Sequence, residues 1–501
     1  MKIQNKFISN TIYLFVNSIC AFLISFFYWI IAGKKLLPQQ YGIVSTSVNL
    51  ISLLSSIAIF GLGTAAWKLI SMYLAKKQRK KVNAIIGFSL KTVFIISFSI
   101  SLFLIFLIPF LSRTIKLPPV IILISAIAIV IVSISNLLGS ILLGFQKMKW
   151  YFLANTTGHF FQILFAAVLI FLGLSYFGPV LGFLLGFLII FILQVPIVSR
   201  SNSTYINKKF VMTEYAIPAF FASLASIIFA NSQYIILTGV KNLEATGIFT
   251  IAMVLTGIIS SMSDILNSAS FSIISQLSAR KKFNSLGIFI QNVFRYCLFL
   301  SLPLTFMLIV FSKQLITIFS RPEYLSSVDI FPILAFAGII FGCGKLFLSN
   351  LYAIGKPKLN RNIQVVTTII FLATAITLTY FFSIIGLCFA YFFAAILLFS
   401  FSAYYIKKFV NFSFYVGIKK LFIASTIAIL FLWVTTKHIA SSLDVLLAVP
   451  AGIIYILALI PLRFYSKEDF EMAKYVLQKL PYNKIGLQIV KHLSKYAKKQ
   501  D

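Results

Sequence analysis

Apolar runs of about 20 residues, the length that carries a helix across a bilayer core, recur from Ile12 to Leu462 and are separated only by short basic or turn-rich breaks. No stretch is left for a sizeable soluble domain. A backbone in hydrocarbon must satisfy its own hydrogen bonds, so the fold class is an all-α integral membrane protein. Composition agrees: 60% of residues are hydrophobic and 11% charged, with a mean hydropathy of +1.00, against roughly 25% charged in soluble domains. Further spans follow the first directly, which reads as a retained first helix rather than a cleaved leader.

The runs divide into fourteen expected spans: 11–32, 41–71, 83–111, 119–145, 151–174, 178–198, 214–240, 246–277, 286–311, 328–354, 362–382, 384–406, 421–436 and 443–462. The formal charge of +33 follows the same division. With the N-terminus inside, 31 of the 43 basic residues fall in inner segments, eight in outer segments and four within spans. That asymmetry supports the span count, predicts a cytoplasmic-membrane protein with both termini on the inner side, and makes nucleic acid needless as a partner. The tail sets Ile485, Ile489, Leu493 and Tyr496 on one helical face with lysines elsewhere. It is either an amphipathic segment on the anionic inner leaflet or a solvated basic tail.

Cys20, Cys297, Cys343 and Cys388 lie in apolar runs, and His159, His438 and His492 are scattered. Neither set has metal-ligand spacing, so no cofactor is expected. The string "GCGK" ending at Lys345 is not a phosphate loop: Gly338 precedes Gly344 by six residues rather than five, Leu346 replaces Ser/Thr, and the context is a membrane helix. Short loops and ten acidic residues argue against a glycan polymerase or lipid-linked glycosyltransferase, which needs clustered acids.

Two segments repeat. "YGIVSTSVNLISLLSSIAI" (41–59) lies on "TGIFTIAMVLTGIISSMSD" (246–264) at an offset of 205, pairing Gly42 with Gly247 and Ser55, Ser56 with Ser260, Ser261. "LLGFQKMK" (142–149) lies on "LYAIGKPK" (351–358) at an offset of 209, pairing Lys147 with Lys356. A duplicated six-helix unit follows, the copies related by an axis along the membrane normal and enclosing a central V-shaped cleft. The expected parts are a lobe at 1–205, a second lobe at 206–412, two further helices at 413–464 and a basic cytoplasmic tail at 465–501.

The stretch "KLLPQQYGIVSTSVNLISLLSSIAIFGLGTAAWKLISMY" resembles the first loop and second helix of polysaccharide-type flippases of the multidrug/oligosaccharidyl-lipid/polysaccharide (MOP) superfamily. "KQLITIFSRPEYLSSVDIFPILAFAGIIFGCGKLFLSNLYAIGKPKLNRN" is similar to their ninth-to-tenth helix connection and tenth helix. The resemblance implies a monomeric transporter, not an enzyme, that moves polyprenyl-(pyro)phosphate-linked oligosaccharide by alternating access. Membrane lipids and glycan-assembly enzymes are the implied partners. The chain departs from many relatives by carrying Ser232 and Gln233 in place of an Asp-Arg pair. A drug or cation antiporter of the same superfamily is the alternative.

The four basic residues within spans are Lys68, Lys91, Arg295 and Lys345, at depths of roughly 5 to 14 Å from the inner span ends at 1.5 Å per residue. A charge facing lipid at mid-span costs about 2.5–3.5 kcal/mol, so such ions normally face a cavity or a partner. Either these four bind the phosphate of a lipid carrier, or the shallow lysines snorkel. Asp264 is the only carboxylate well inside a span. Arg295 on the neighbouring span is within its axial reach, so the expected pair is either structural or a protonation switch.

Small and kinking residues are also patterned. Gly178, Gly182 and Gly186, four apart, form a face for close helix approach. Pro109, Pro196, Pro218, Pro303 and Pro450 are positions where helices can kink.

Overall fold

The computed structural model describes residues 17, 20, 21, 23–197, 207–281, 283–413, 417–438, 447–466 and 469–470. The start of the expected first span, Arg200, Lys282 and the amphipathic stretch through Tyr496 lie outside the described residues. Among the described residues there are helices and no strands. They are α1 (residues 23–35), then α2 (Pro38–Ile59), α3 (Leu62–Ala75), α4 (Arg79–Phe106), α5 (Ile108–Thr114), α6 (Pro119–Gly144), α7 (Met148–Leu169), α8 (Phe177–Gln194) and α9 (Lys208–Val211). After these come α10 (Ile217–Val240), α11 (Leu243–Ala279), α12 (Phe283–Val310), α13 (Ser312–Phe319), α14 (Ser327–Ala353), α15 (Pro357–Phe409), α16 (Ile418–His438) and α17 (Ala448–Ala458).

Among the described residues, 11 helices are long and apolar enough to cross a membrane. Their division differs from the fourteen expected spans where the backbone bends. The span expected at 41–71 is two helices, α2 and α3, because Phe60 (φ 49°) and Gly61 (φ 70°) leave the right-handed helical region. The 53 residues of α15 contain a non-helical Ser383, so this one element holds both spans expected at 362–382 and 384–406. Of the last expected span, 443–462, the helix α17 covers 11 residues.

The helices are inverted relative to those of a soluble protein. On α4, Ser89, Val93, Ser97 and Ser101 are buried, while Phe94, Phe98, Leu102 and Phe106, also four apart, are exposed. A period of four keeps each set on one side of the helix. The exposed aromatic side suits lipid, and the small hydroxyl side lets a neighbour approach. That neighbour is α6, whose Ala126 carbonyl accepts a 2.8 Å hydrogen bond from Ser101 Oγ.

The chain forms two compact units. The first comprises Met1–Thr256, Phe319–Ala337 and Lys356–Phe401; the second comprises Gly257–Ile318, Gly338–Gly355 and Ser402–Asp501. In the first, α2 lies against α4, α6 and α10, and α7 against α8. In the second, α12, α16 and α17 lie together.

Two hairpins share a backbone detail. The α7–α8 hairpin reverses at Ser175 (φ 44°, ψ −128°), and α15 reverses at Ser383 (φ 56°, ψ −137°). Each serine stands three residues before a glycine. A Cβ at Gly178 would lie 2.9 Å from Ile170 N, and one at Gly386 would lie 1.9 Å from Leu378 O, so in both hairpins the returning helix starts against the outgoing one. The serine angles are those of the first central position of a type II′ turn, where glycine is favoured. Ser175→Gly and Ser383→Gly are therefore each expected to stabilise the protein by about 1 kcal/mol, measured as a higher unfolding midpoint in detergent.

A second symmetric feature joins α2 to α11. A Cβ on Gly42 would lie 1.7 Å from Leu243 O, and one on Gly247 would lie 2.0 Å from Pro38 O. Gly42 and Gly247 are repeat partners, and Pro38 and Leu243 stand four residues before them. One contact is thus made twice about a local pseudo-two-fold axis.

Candidate functional site

Helices α11 and α14 run parallel in a single register. Ser327 Oγ donates to Ile248 O at 2.9 Å. Further along, a Cβ on Gly342 would come within 2.3 Å of Ser263 Oγ, and the rings of Phe271 and Tyr352 lie 6.2 Å apart. Partners along this seam differ by 79 to 81 residues, which brings Asp264 opposite Lys345.

Lys345 Nζ lies 2.6 Å from Asp264 Oδ1. The two side chains are 36% and 50% exposed, so the pair has an open side. The ammonium also stands 5.9 Å from the centre of the Phe341 ring. Two opposite charges inside spans neutralise each other, yet the pair is not closed off as a core ion pair would be.

The first half of the chain shows how this seam looks without charge. In α2 and α6, Ser133 Oγ donates to Ser55 O at 3.4 Å. Its counterpart in the second half is the approach of Gly342 to Ser260, whose Cα would lie 3.9 Å from a Cβ on Gly342. At the same repeat offsets, the counterparts of Asp264 and Lys345 are Ile59 and Asn136. Among the described residues no ion pair joins α2 to α6 in the first half.

Arg295 corrects an expectation, because its partner is Asp469 and not Asp264. It is 6% exposed on α12, and its Nη2 reaches the two Asp469 carboxylate oxygens at 2.6 and 2.8 Å. The Tyr296 hydroxyl donates to the same carboxylate, and the guanidinium stacks over the rings of Tyr296 and Phe464 at 5.0 and 5.3 Å. Axial reach allowed the Asp264 pairing, but azimuth forbids it. Cys297 faces α11, its Sγ 3.1 Å from Ser263 Oγ, and Arg295, two residues earlier, points about 200° away at roughly 100° per residue.

Asp469 was not singled out in the sequence. A local signal was present in the Ser466-x-x-Asp469 spacing, which forms a reciprocal capping pair: Ser466 N–H donates to Asp469 Oδ2 at 2.8 Å, and Asp469 N–H donates to Ser466 Oγ at 3.4 Å.

The remaining candidate cations lie in the first unit. Lys68 on α3 is exposed, with Nζ 5.0 Å from the Tyr215 ring centre. Lys91 on α4 is exposed.

Three solved structures share the fold. "Lipid II flippase MurJ, inward closed conformation" has a TM-score of 0.72 at 17% identity, covering 90% of this chain and 98% of that one. "Inward-facing conformation of a multidrug resistance MATE family transporter of the MOP superfamily" has a TM-score of 0.64 at 14% identity, covering 77% and 94%. A MOP superfamily transporter from Pyrococcus furiosus, described by the reverse polarity of its binding pocket, has a TM-score of 0.55 at 15% identity, covering 80% and 96%. No curated protein sequence matches the chain. A family model described as polysaccharide biosynthesis protein matches residues 7–278, more than half of the 501 residues, and the chain belongs to that family.

Proposed function

We propose that this protein flips a polyprenyl-(pyro)phosphate-linked oligosaccharide across the cytoplasmic membrane by alternating access, with both termini in the cytosol and without chemistry on its cargo. Lys345 receives the lipid phosphate. The observation that carries this reading is the open Lys345–Asp264 pair, at positions whose counterparts at the repeat offsets are the uncharged Ile59 and Asn136. The cation is positioned to meet an anion inside a span. Lys68 and Lys91 are proposed as additional contacts for lipid phosphate. Arg295, taken up by Asp469, is assigned to holding the chain after α17. The duplicated halves 1–205 and 206–412 are the proposed moving parts.

The second reading, a cation antiporter, rests on Asp264, the more exposed member of the pair, and on the likeness to the MATE-family transporter fold. Binding separates the two. The purified protein is expected to bind farnesyl diphosphate in preference to an organic cation such as tetraphenylphosphonium. Lys345→Gln should weaken the anion about tenfold, the value of one charge-assisted hydrogen bond. Tetraphenylphosphonium binding that is lost in Asp264→Asn, with no farnesyl diphosphate binding, would establish the second reading instead.

A further inference from the structure

The ammonium that the proposed function assigns to a lipid phosphate is already occupied by a carboxylate at 2.6 Å. Docking therefore has to be an exchange. In a lipid-linked glycan each phosphorus is linked on two sides and keeps one negative charge near neutral pH, so a phosphate link is a monoanion and a diphosphate link a dianion. If Asp264 kept its place, two anionic groups would crowd one ammonium, and like charges at that spacing repel. Asp264 is half-exposed, so its side chain has room to swing away from Lys345. At the repeat offsets the corresponding positions of the first half are the uncharged Ile59 and Asn136, and Gly342–Ser263 and Phe271–Tyr352 hold α11 to α14 on either side of the pair.

Resting on the reading of Lys345 as the phosphate site, we propose that Asp264 is a displaceable internal competitor. It imitates the cargo's anion on Lys345, is pushed aside when the lipid phosphate docks, and expels that phosphate by returning. Asp264 acts through Lys345 and so is a positioning residue that sets the lifetime of the bound state. The arrangement keeps the site neutral between cargoes, and only an anion that outbids a carboxylate can open it. A phosphate or diphosphate qualifies, whereas a neutral isoprenoid alcohol does not.

The experiment uses the full chain in detergent, with farnesyl diphosphate as probe and farnesol as the neutral control. Removing the competitor in Asp264→Asn is expected to tighten probe binding at least about fivefold, the low end of ordinary coupling between two sites, with the change carried by slower dissociation. Asp264→Glu, which restores a carboxylate, should reverse the tightening seen in Asp264→Asn and bring dissociation back toward the wild-type rate. In Lys345→Gln, adding Asp264→Asn should change nothing. The proposal is overturned if Lys345→Gln loses the probe while Asp264→Asn binds no tighter than wild type; the phosphate-site reading then stands without the competitor. If wild type and Lys345→Gln bind the probe equally, the phosphate-site reading fails and the competitor with it.

Discussion

Replacing Arg295 with alanine is expected to destabilise the protein by about 3–5 kcal/mol, the usual cost of breaking a buried ion pair by removing one member. Both side chains are nearly dry, 7% and 9% exposed, so the Asp469 carboxylate left behind would lose its charge partner without gaining full hydration. The Tyr296 hydroxyl and the Ser466 amide, which also donate to it, would share an uncompensated anion. The arginine is also a packing piece: Phe464, which lies under it, stacks on Phe299 at 5.8 Å, and the Phe299 carbonyl accepts from Tyr455 Oη of α17 at 3.0 Å. Asp469→Ala should cost a similar amount. The Arg295→Ala, Asp469→Ala double variant should cost clearly less than the two singles added, because neither charge is stranded. Unfolding midpoints of the four proteins in one detergent close the cycle, and additivity would show that the pair is not coupled.

Alanine at Gly42 or at Gly247 carries the second large effect. Each new methyl would overlap a carbonyl oxygen, at 1.7 Å from Leu243 O or 2.0 Å from Pro38 O, and these acceptors are main chain that no rotamer change can move. The starts of α2 and α11 would have to part. Beside them runs a buried hydroxyl chain, Thr46 to Thr238 at 2.7 Å and Thr238 to Thr246 at 2.8 Å, which separation would break. Overpacking costs about 1–3 kcal/mol and more where the backbone cannot yield, so each single variant should lose at least that. Since both clashes report one approach, the double variant should cost less than the sum. Thermal unfolding of the three variants measures it; an unshifted midpoint for either single would mean that the two helix starts do not touch.

Much of this was legible in the sequence because a bilayer leaves few choices. Runs of about 20 apolar residues announced an all-helical membrane chain, and the alignment of Gly42 with Gly247 marked a pair that proves to lie at a local symmetry axis. Where the chain bends was less legible. A break at Phe60 and a reversal at Ser383 occur at residues whose own side chains do not favour a positive φ. The sequence also carries "RKKVN" at 79–83 and again as "RKKFN" at 280–284, at the starts of α4 and α12. For the candidate site, axial depth was readable by counting residues, whereas the choice of partner was not. The pairing of Lys345 with Asp264, and of Arg295 with Asp469, depends on which side of each helix faces which neighbour, and that follows from contacts such as Ser263 with Cys297.

The proposed transport requires that Lys345 meet the phosphate of a lipid-linked cargo within the span. The most direct test is transport: purified protein in liposomes, a fluorescent sugar on a polyprenyl diphosphate, and the fraction of label exposed on the far leaflet followed with time. Wild type should move the label, and Lys345→Gln, at unchanged thermal stability, should slow it about tenfold or more, as expected for the loss of one charge-assisted contact. Transport by Lys345→Gln at the wild-type rate would contradict the account.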